Sequence, residues 1–151
     1  MPSSGKTTVG KEIAKVFGKK FIDTDDVVVE KRKESISDIF EKYGEGEFRK
    51  EERLAIEELS KENGLVIATG GGAVLDENNV RALRRNGVIL FLDRSIENLV
   101  ATADRPLSSD TEKLKNLFEK RYDVYKSCAD AVIPADGEIA DVVEKIKGVL
   151  L

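Results

Sequence analysis

Met1-Pro-Ser-Ser-Gly-Lys-Thr-Thr8 is the stretch from which the rest of the chain can be placed. Gly5-Lys6-Thr7 ends the phosphate-binding loop pattern G-x-x-x-x-G-K-[ST]. There backbone N–H groups cradle phosphates, the lysine reaches the β- and γ-oxygens, and the hydroxyl ligates Mg²⁺. Ser3, Ser4, Gly5, Lys6, Thr7 and Thr8 are thus nucleotide-binding candidates, with Thr7 also a metal ligand. The pattern's first glycine, and the strand that feeds such a loop, would fall before Met1. The competing reading is an ordinary helix start with Ser3 or Ser4 as N-cap. Val9, Ile13, Ala14, Val16 and Phe17 then recur at helical spacing, and Gly18 supplies a stop. The loop therefore opens a helix, whose N-terminal dipole and free N–H groups favour an anion.

Four apolar runs read as strands: Lys20-Phe-Ile-Asp23, Leu65 to Thr69, Val88 to Leu92 and Ala131 to Ile133. Between them lie helical patterns. Two short helices are expected over 27–44, the second capped by Ser35 or Ser37, and a longer one over about 47–61. Further helices follow over 77–85 (capped by Asp76), from Ser95 to about Ala103, over 111–126 and over 139–150. This alternation predicts one α/β domain over 1–151, a mostly parallel sheet flanked by helices.

The 151 residues carry a formal charge of −4 without a basic stretch, which argues against nucleic acid as main partner. No apolar run approaches the roughly 18 residues of a membrane span, and no signal-peptide pattern opens the chain. The cytoplasm is the compartment expected. Cys128 is the one cysteine, read as a small half-buried hydrophobe, and there is no histidine. Histidine triads and histidine-ligated metals are thereby excluded, so acid–base chemistry falls to Asp, Glu or Lys.

Several residues have both a structural and a chemical reading. Asp25 can be an N-cap and Asp23 a solvated strand end. Alternatively both sit at the carboxyl edge of a sheet, where α/β folds bind ligands; Asp23 would then hold Mg²⁺ through water and Asp25 would accept a hydroxyl proton. Arg49 and Glu52, three residues apart, form either a surface pair or a fixed guanidinium. Gly70-Gly71-Gly72 is a flexible turn or a backbone passing close to a ligand. Arg105 is loop decoration or a finger over phosphates. Arg121 shares a helical stripe with Leu114, Leu117, Phe118, Tyr122 and Tyr125, so it either snorkels or faces inward toward an anionic partner.

In combination these pieces resemble shikimate kinase along nearly the whole chain. The matching signatures are Gly-Lys-Thr-Thr at 5–8, Phe-Ile-Asp-Thr-Asp at 21–25 and a loose Gly-Glu-x-x-Phe-Arg at 44–49. Ala-Thr-Gly-Gly-Gly at 68–72, Arg-Pro-Leu at 105–107 and Arg-x-x-x-Tyr at 121–125 complete the set. The resemblance implies a three-layer P-loop NTPase fold of the nucleoside-monophosphate-kinase type, with the central first strand absent, acting as a monomer. The absence would reflect a late start codon, a trimmed domain or a fragment. The implied reaction transfers the γ-phosphoryl of ATP to the 3-hydroxyl of shikimate, with Mg²⁺. By the same resemblance Lys6 stabilises the migrating phosphoryl, Thr7 and Asp23 hold the metal, and Asp25 orients or deprotonates the acceptor. Arg49 and Arg121 clamp the shikimate carboxylate, and Gly70, Gly71 and Gly72 offer backbone N–H groups. Arg105 comes from a lid at about 102–112, and the acceptor-binding helices span about 25–62. Two departures accompany the match: residues 100–104 lack the basic residue usual before Arg-Pro-Leu, and residues 134–137 lack an arginine. A related kinase for gluconate or a nucleoside monophosphate, or a non-catalytic ligand-binding module, are the alternatives.

Overall fold

The computed structural model describes residues 5–95, 98 and 111–151, and at 111 and 114 the backbone alone. Ser3, Ser4, Arg105, the lid up to residue 110 and nearly all of the helix expected from Ser95 lie outside them.

Helix α1 (Lys6–Val16) leads to strand β1 (Lys20–Asp23), then to α2 (Thr24–Arg32), α3 (Ile36–Tyr43) and α4 (Glu45–Leu59). Strand β2 (Leu65–Ala68), a 3₁₀ turn (Ala73–Leu75), α5 (Glu77–Asn86) and β3 (Leu90–Asp93) follow, then α6 (Thr111–Cys128), β4 (Ala131–Pro134) and α7 (Ile139–Leu150). Among the described residues the expected alternation forms. No helix of the described residues is long and apolar enough to cross a membrane.

β1 pairs in parallel with β2, aligning Asp23 with Ala68, and β3 with β4, aligning Asp93 with Pro134. Among the described residues no ladder joins the two pairs. The parallel sense is as expected, and the described strands stand as two pairs. A ladder needs neighbours about 4.8 Å apart; β2 and β3 are instead joined through a shared apolar layer. Val9 and Ile13 of α1 and Val142, Val143 and Ile146 of α7 pack there against Leu92 and Ile133, with Val66, Leu90 and Ala131 alongside. The opposite face of β3 presents Phe91, which packs with Tyr125, Phe118 and Tyr122 of α6. Side chains alternate across a strand, so helices cover both faces and three layers result.

Local chemistry sets most element ends. Ser35 Oγ accepts from the Asp38 N–H, making Ser35 and not Ser37 the cap of α3. Asp76 caps α5 as expected. Gly44, at φ 86°, stops α3, whereas Gly46 lies inside α4 and breaks nothing. Only Gly44 takes the left-handed conformation that a helix interior cannot contain. Phe48, Ala55, Ile56 and Leu59 are the buried stripe of α4, as their spacing predicted. Cys128 is buried more fully than expected, and that burial pushes its thiol pKa up.

α1 also has a steric limit. A Cβ on Gly10 would stand 2.5 Å from Cε2 of Phe21. Gly10→Ala gains about 1 kcal/mol of helix propensity, but such overpacking costs about 1–3 kcal/mol. We expect a net lowering of Tm by about 2–4 °C, read by thermal denaturation. A raised Tm would mean that the ring moves aside freely.

Candidate active site

Because the described strands pair in parallel, β1 and β2 end together, as do β3 and β4. α1 runs into β1 through a short turn, with Lys19 N–H donating to Ala14 O at 2.8 Å. Its N-terminus therefore points to the carboxyl edge of the strands. The residue that caps α1 is Gly5, at φ 85° with no side-chain cap bond. This corrects the ordinary-cap reading: the left-handed glycine turns the chain so that the N–H groups opening the helix face outward together. Beside it stands a cation that the sequence reading missed. The guanidinium Nη1 of Arg94 lies 4.0 Å from where a Gly5 Cβ would be, and its Nε is buried with no hydrogen-bond partner among the described residues. Its place immediately after Asp93 was the available signal. Lys6 and Thr7 are half-buried and Thr8 is exposed.

Asp23 is the N-cap of α2: its Oδ1 accepts from the Asp25 N–H at 2.9 Å. The cap is thus Asp23, not Asp25, and Asp23 is buried, not solvated. With Asp23 taking the cap, Asp25 falls in the first turn of α2, beside the glycine run. A Cβ on Gly70 would lie 3.1 Å from Asp25 Oδ1 and 2.9 Å from Glu52 Oε2. The first glycine of the run is therefore lined by two carboxyl groups, and any larger residue would displace them.

Arg49 Nη1 donates to Glu52 Oε1 at 2.9 Å, and Nη2 pairs with Glu45 at 3.2 Å. The Glu52 side chain is only 1% exposed, so the decorative surface pair is excluded. Burial pushes the Glu52 carboxyl above its usual range, Arg49 pulls it back, Asp25 adds repulsion and Arg121 attraction; the net direction is upward. Burial opposes the Arg49 charge, yet Glu52 and Glu45 outweigh it and hold Arg49 more firmly protonated. Glu52 Oε2 has no hydrogen-bond partner among the described residues. A Cβ on Gly72 would stand 2.5 Å from Arg49 Cζ. Arg121 is 8% exposed, which settles its orientation inward. Two arginines from separate helices, two carboxyl groups and the glycine run thus converge at one edge.

The remaining contacts pin the strand ends. Tyr125 Oη donates to Gly71 O at 2.6 Å and Tyr122 Oη to Asp93 Oδ2 at 2.7 Å. Asp136 accepts from the N–H and Oγ of Ser95 and from Asn98, tying the exits of β3 and β4 together.

With this geometry in view, the shikimate kinase family model matches residues 2–150. The chain belongs to the shikimate kinase family. A shikimate kinase from Clostridium botulinum is 39% identical over 100% of this chain and 93% of its own length. One from Sulfurihydrogenibium is 42% identical over 95% of this chain and 89% of its own. Among solved structures, a shikimate kinase from Acinetobacter baumannii in complex with shikimate superposes with TM-score 0.92. It shares 33% identity and is matched over 99% of this chain and 88% of that one. As a shikimate kinase the chain is a phosphotransferase with a P-loop NTPase fold, of a family whose phosphate donor is ATP.

The donor set also fits Mg²⁺. Thr7 offers a hydroxyl and Asp23 a buried carboxylate at the same edge, both hard oxygen ligands. Among the described residues no group of three or more His, Cys, Asp or Glu could cage a metal. Mg²⁺ does not require one, because it keeps several waters and binds through one or two protein oxygens plus phosphates.

Proposed function

We propose that this shikimate kinase transfers the γ-phosphoryl of ATP to the 3-hydroxyl of shikimate through the residues gathered at the carboxyl edge of its strands. The reading is carried by the convergence of Arg49, Arg121 and Asp25 on the buried Glu52 beside the glycine run. Arg49 and Arg121 receive the acceptor's carboxylate, for which paired guanidinium forks suit both geometry and charge. Glu52 holds Arg49 in place before the acceptor arrives. Asp25 takes the proton of the 3-hydroxyl as the new O–P bond forms and the bond to the ADP leaving group breaks. Gly5 and the N–H groups opening α1 hold the β- and γ-phosphates, with Ser3, Ser4 and Thr8 alongside, and Lys6 balances charge on the transferring group. Thr7 and Asp23 hold Mg²⁺, which neutralises phosphate charge when bound. Arg105 serves the phosphates from the lid. The whole chain acts as one domain, monomeric and cytoplasmic, with the acceptor on α2 to α4.

The test is ADP release from ATP and Mg²⁺ with and without shikimate, alongside gluconate and nucleoside monophosphates. Release that rises strongly with shikimate alone supports the proposal. Equal stimulation by another acceptor moves the substrate assignment, and silence with every acceptor favours binding without transfer.

Gly72→Ala offers a finer check. Its backbone, at φ −95°, tolerates any residue, so the whole effect comes from the methyl group meeting Arg49. A misplacement of about 1 Å costs up to 10²-fold in such sites. KM for shikimate should rise at least about tenfold while KM for ATP stays within about twofold. Equal increases would place Arg49 outside the acceptor subsite.

A further inference from the structure

We propose that the Tyr125 hydroxyl is a positioning group for the acceptor, clamping the Gly71–Gly72 peptide so that its N–H faces the site; this rests on the acceptor reading above. Tyr125 is 5% exposed, and its ring packs on Phe91 with centroids 5.2 Å apart. The ring is therefore fixed by α6 and by β3 before any ligand arrives. Its Oη donates to Gly71 O at 2.6 Å, across 54 residues of sequence. Burial raises the pKa of this hydroxyl above its usual 10.0, with Arg121 pulling the other way, so it remains a donor at neutral pH.

Peptide geometry gives that one bond its reach. The Gly71 carbonyl and the Gly72 N–H belong to one planar trans unit and point in opposite directions. Holding the carbonyl on Tyr125 therefore aims the N–H the other way. A run of three glycines has no side chains of its own to resist rotation, and glycine samples more backbone conformations than any other residue. The Ala73 N–H donates to Gly70 O at 3.1 Å and closes the run into a turn, and the Gly71–Gly72 peptide at its centre takes a further hold from outside. It comes from α6, whose Arg121 lies one helical turn before Tyr125 and beside the same hydroxyl. The backbone donor and one arm of the carboxylate clamp are thereby held by one helix.

Tyr125→Phe keeps the ring and its packing and removes only the bond. We expect KM for shikimate to rise about tenfold with kcat and KM for ATP within about twofold, and shikimate affinity by calorimetry to fall in parallel. The same factor should appear when the substitution is made in an Arg121→Ala background, because the clamp acts through Gly71. A shikimate KM within twofold of the parent overturns the proposal, as does an effect that vanishes in the Arg121→Ala background. If Arg49→Ala and Arg121→Ala themselves spare the shikimate KM, the acceptor reading has failed instead. Calorimetry on each purified variant, with its Tm recorded, separates lost affinity from lost fold.

Discussion

Lys6→Met is expected to lower kcat by about three orders of magnitude while the protein stays folded. Phosphoryl transfer asks the protein mainly for positioning and charge, and removing one preorganised donor from such a site costs about 10²–10³-fold in kcat. A lysine that reaches both β- and γ-oxygens sits at the upper end of that range. Helix propensity does not account for this residue. Lys6 is the first residue of α1, where a positive charge opposes the helix dipole, and methionine forms helices about as well. Thermal denaturation should show a cooperative transition within a few degrees of the parent's beside the lost turnover. A variant that keeps kcat within tenfold would exclude the P-loop mechanism for this chain.

The second large effect is expected from Asp25→Asn, a fall in kcat of about 10²–10⁴-fold. Asparagine keeps the size of the side chain but cannot take the hydroxyl proton. Two smaller effects oppose each other in the fold. Asp25 lies in the first turn of α2, where an acid is favoured by about 0.3–1 kcal/mol. It also repels the buried Glu52, raising that carboxyl's pKa, and asparagine relieves this. The changes in Tm should therefore be small, and the kinetic loss is chemical. Steady-state kinetics should show the deficit in kcat with KM for ATP little changed. A variant retaining most of its kcat would remove Asp25 from the proton transfer and leave it an orienting role at most.

Much of the site was legible because its parts are local in sequence. The glycine-lysine-threonine triplet, the apolar period of α1 and the acids closing β1 each reveal themselves within a few residues. Arg121 could be assigned inward from its place on the α6 stripe, and the structure buries it. The errors were equally local. Asp23 and Asp25 both precede or open α2, and composition does not decide which of them caps it. That depends on a backbone angle: Asp23 is extended at φ −104° and folds its carboxylate back to the Asp25 N–H.

Other features are only partly visible in the sequence. The three-residue spacing paired Glu52 with Arg49, but only its burial against Gly70 and Arg49 shows that the guanidinium is fixed there. Tyr125 reads as an apolar stripe residue, and its bond to Gly71 exists only once α6 lies over β3. Arg94 reads as a polar residue after a strand until α1 brings Gly5 beside it.

The amino-acid sequence by itself determined the α/β order, the phosphate-binding turn and the types of residue available for chemistry. Those follow from periodicity, caps and glycine, which act over one or two turns of chain. The tertiary structure alone decided which strands the apolar faces of α1 and α7 cover and which charges are buried together. Those outcomes depend on apolar packing between segments far apart in sequence, and no local pattern encodes how closely two such segments will approach.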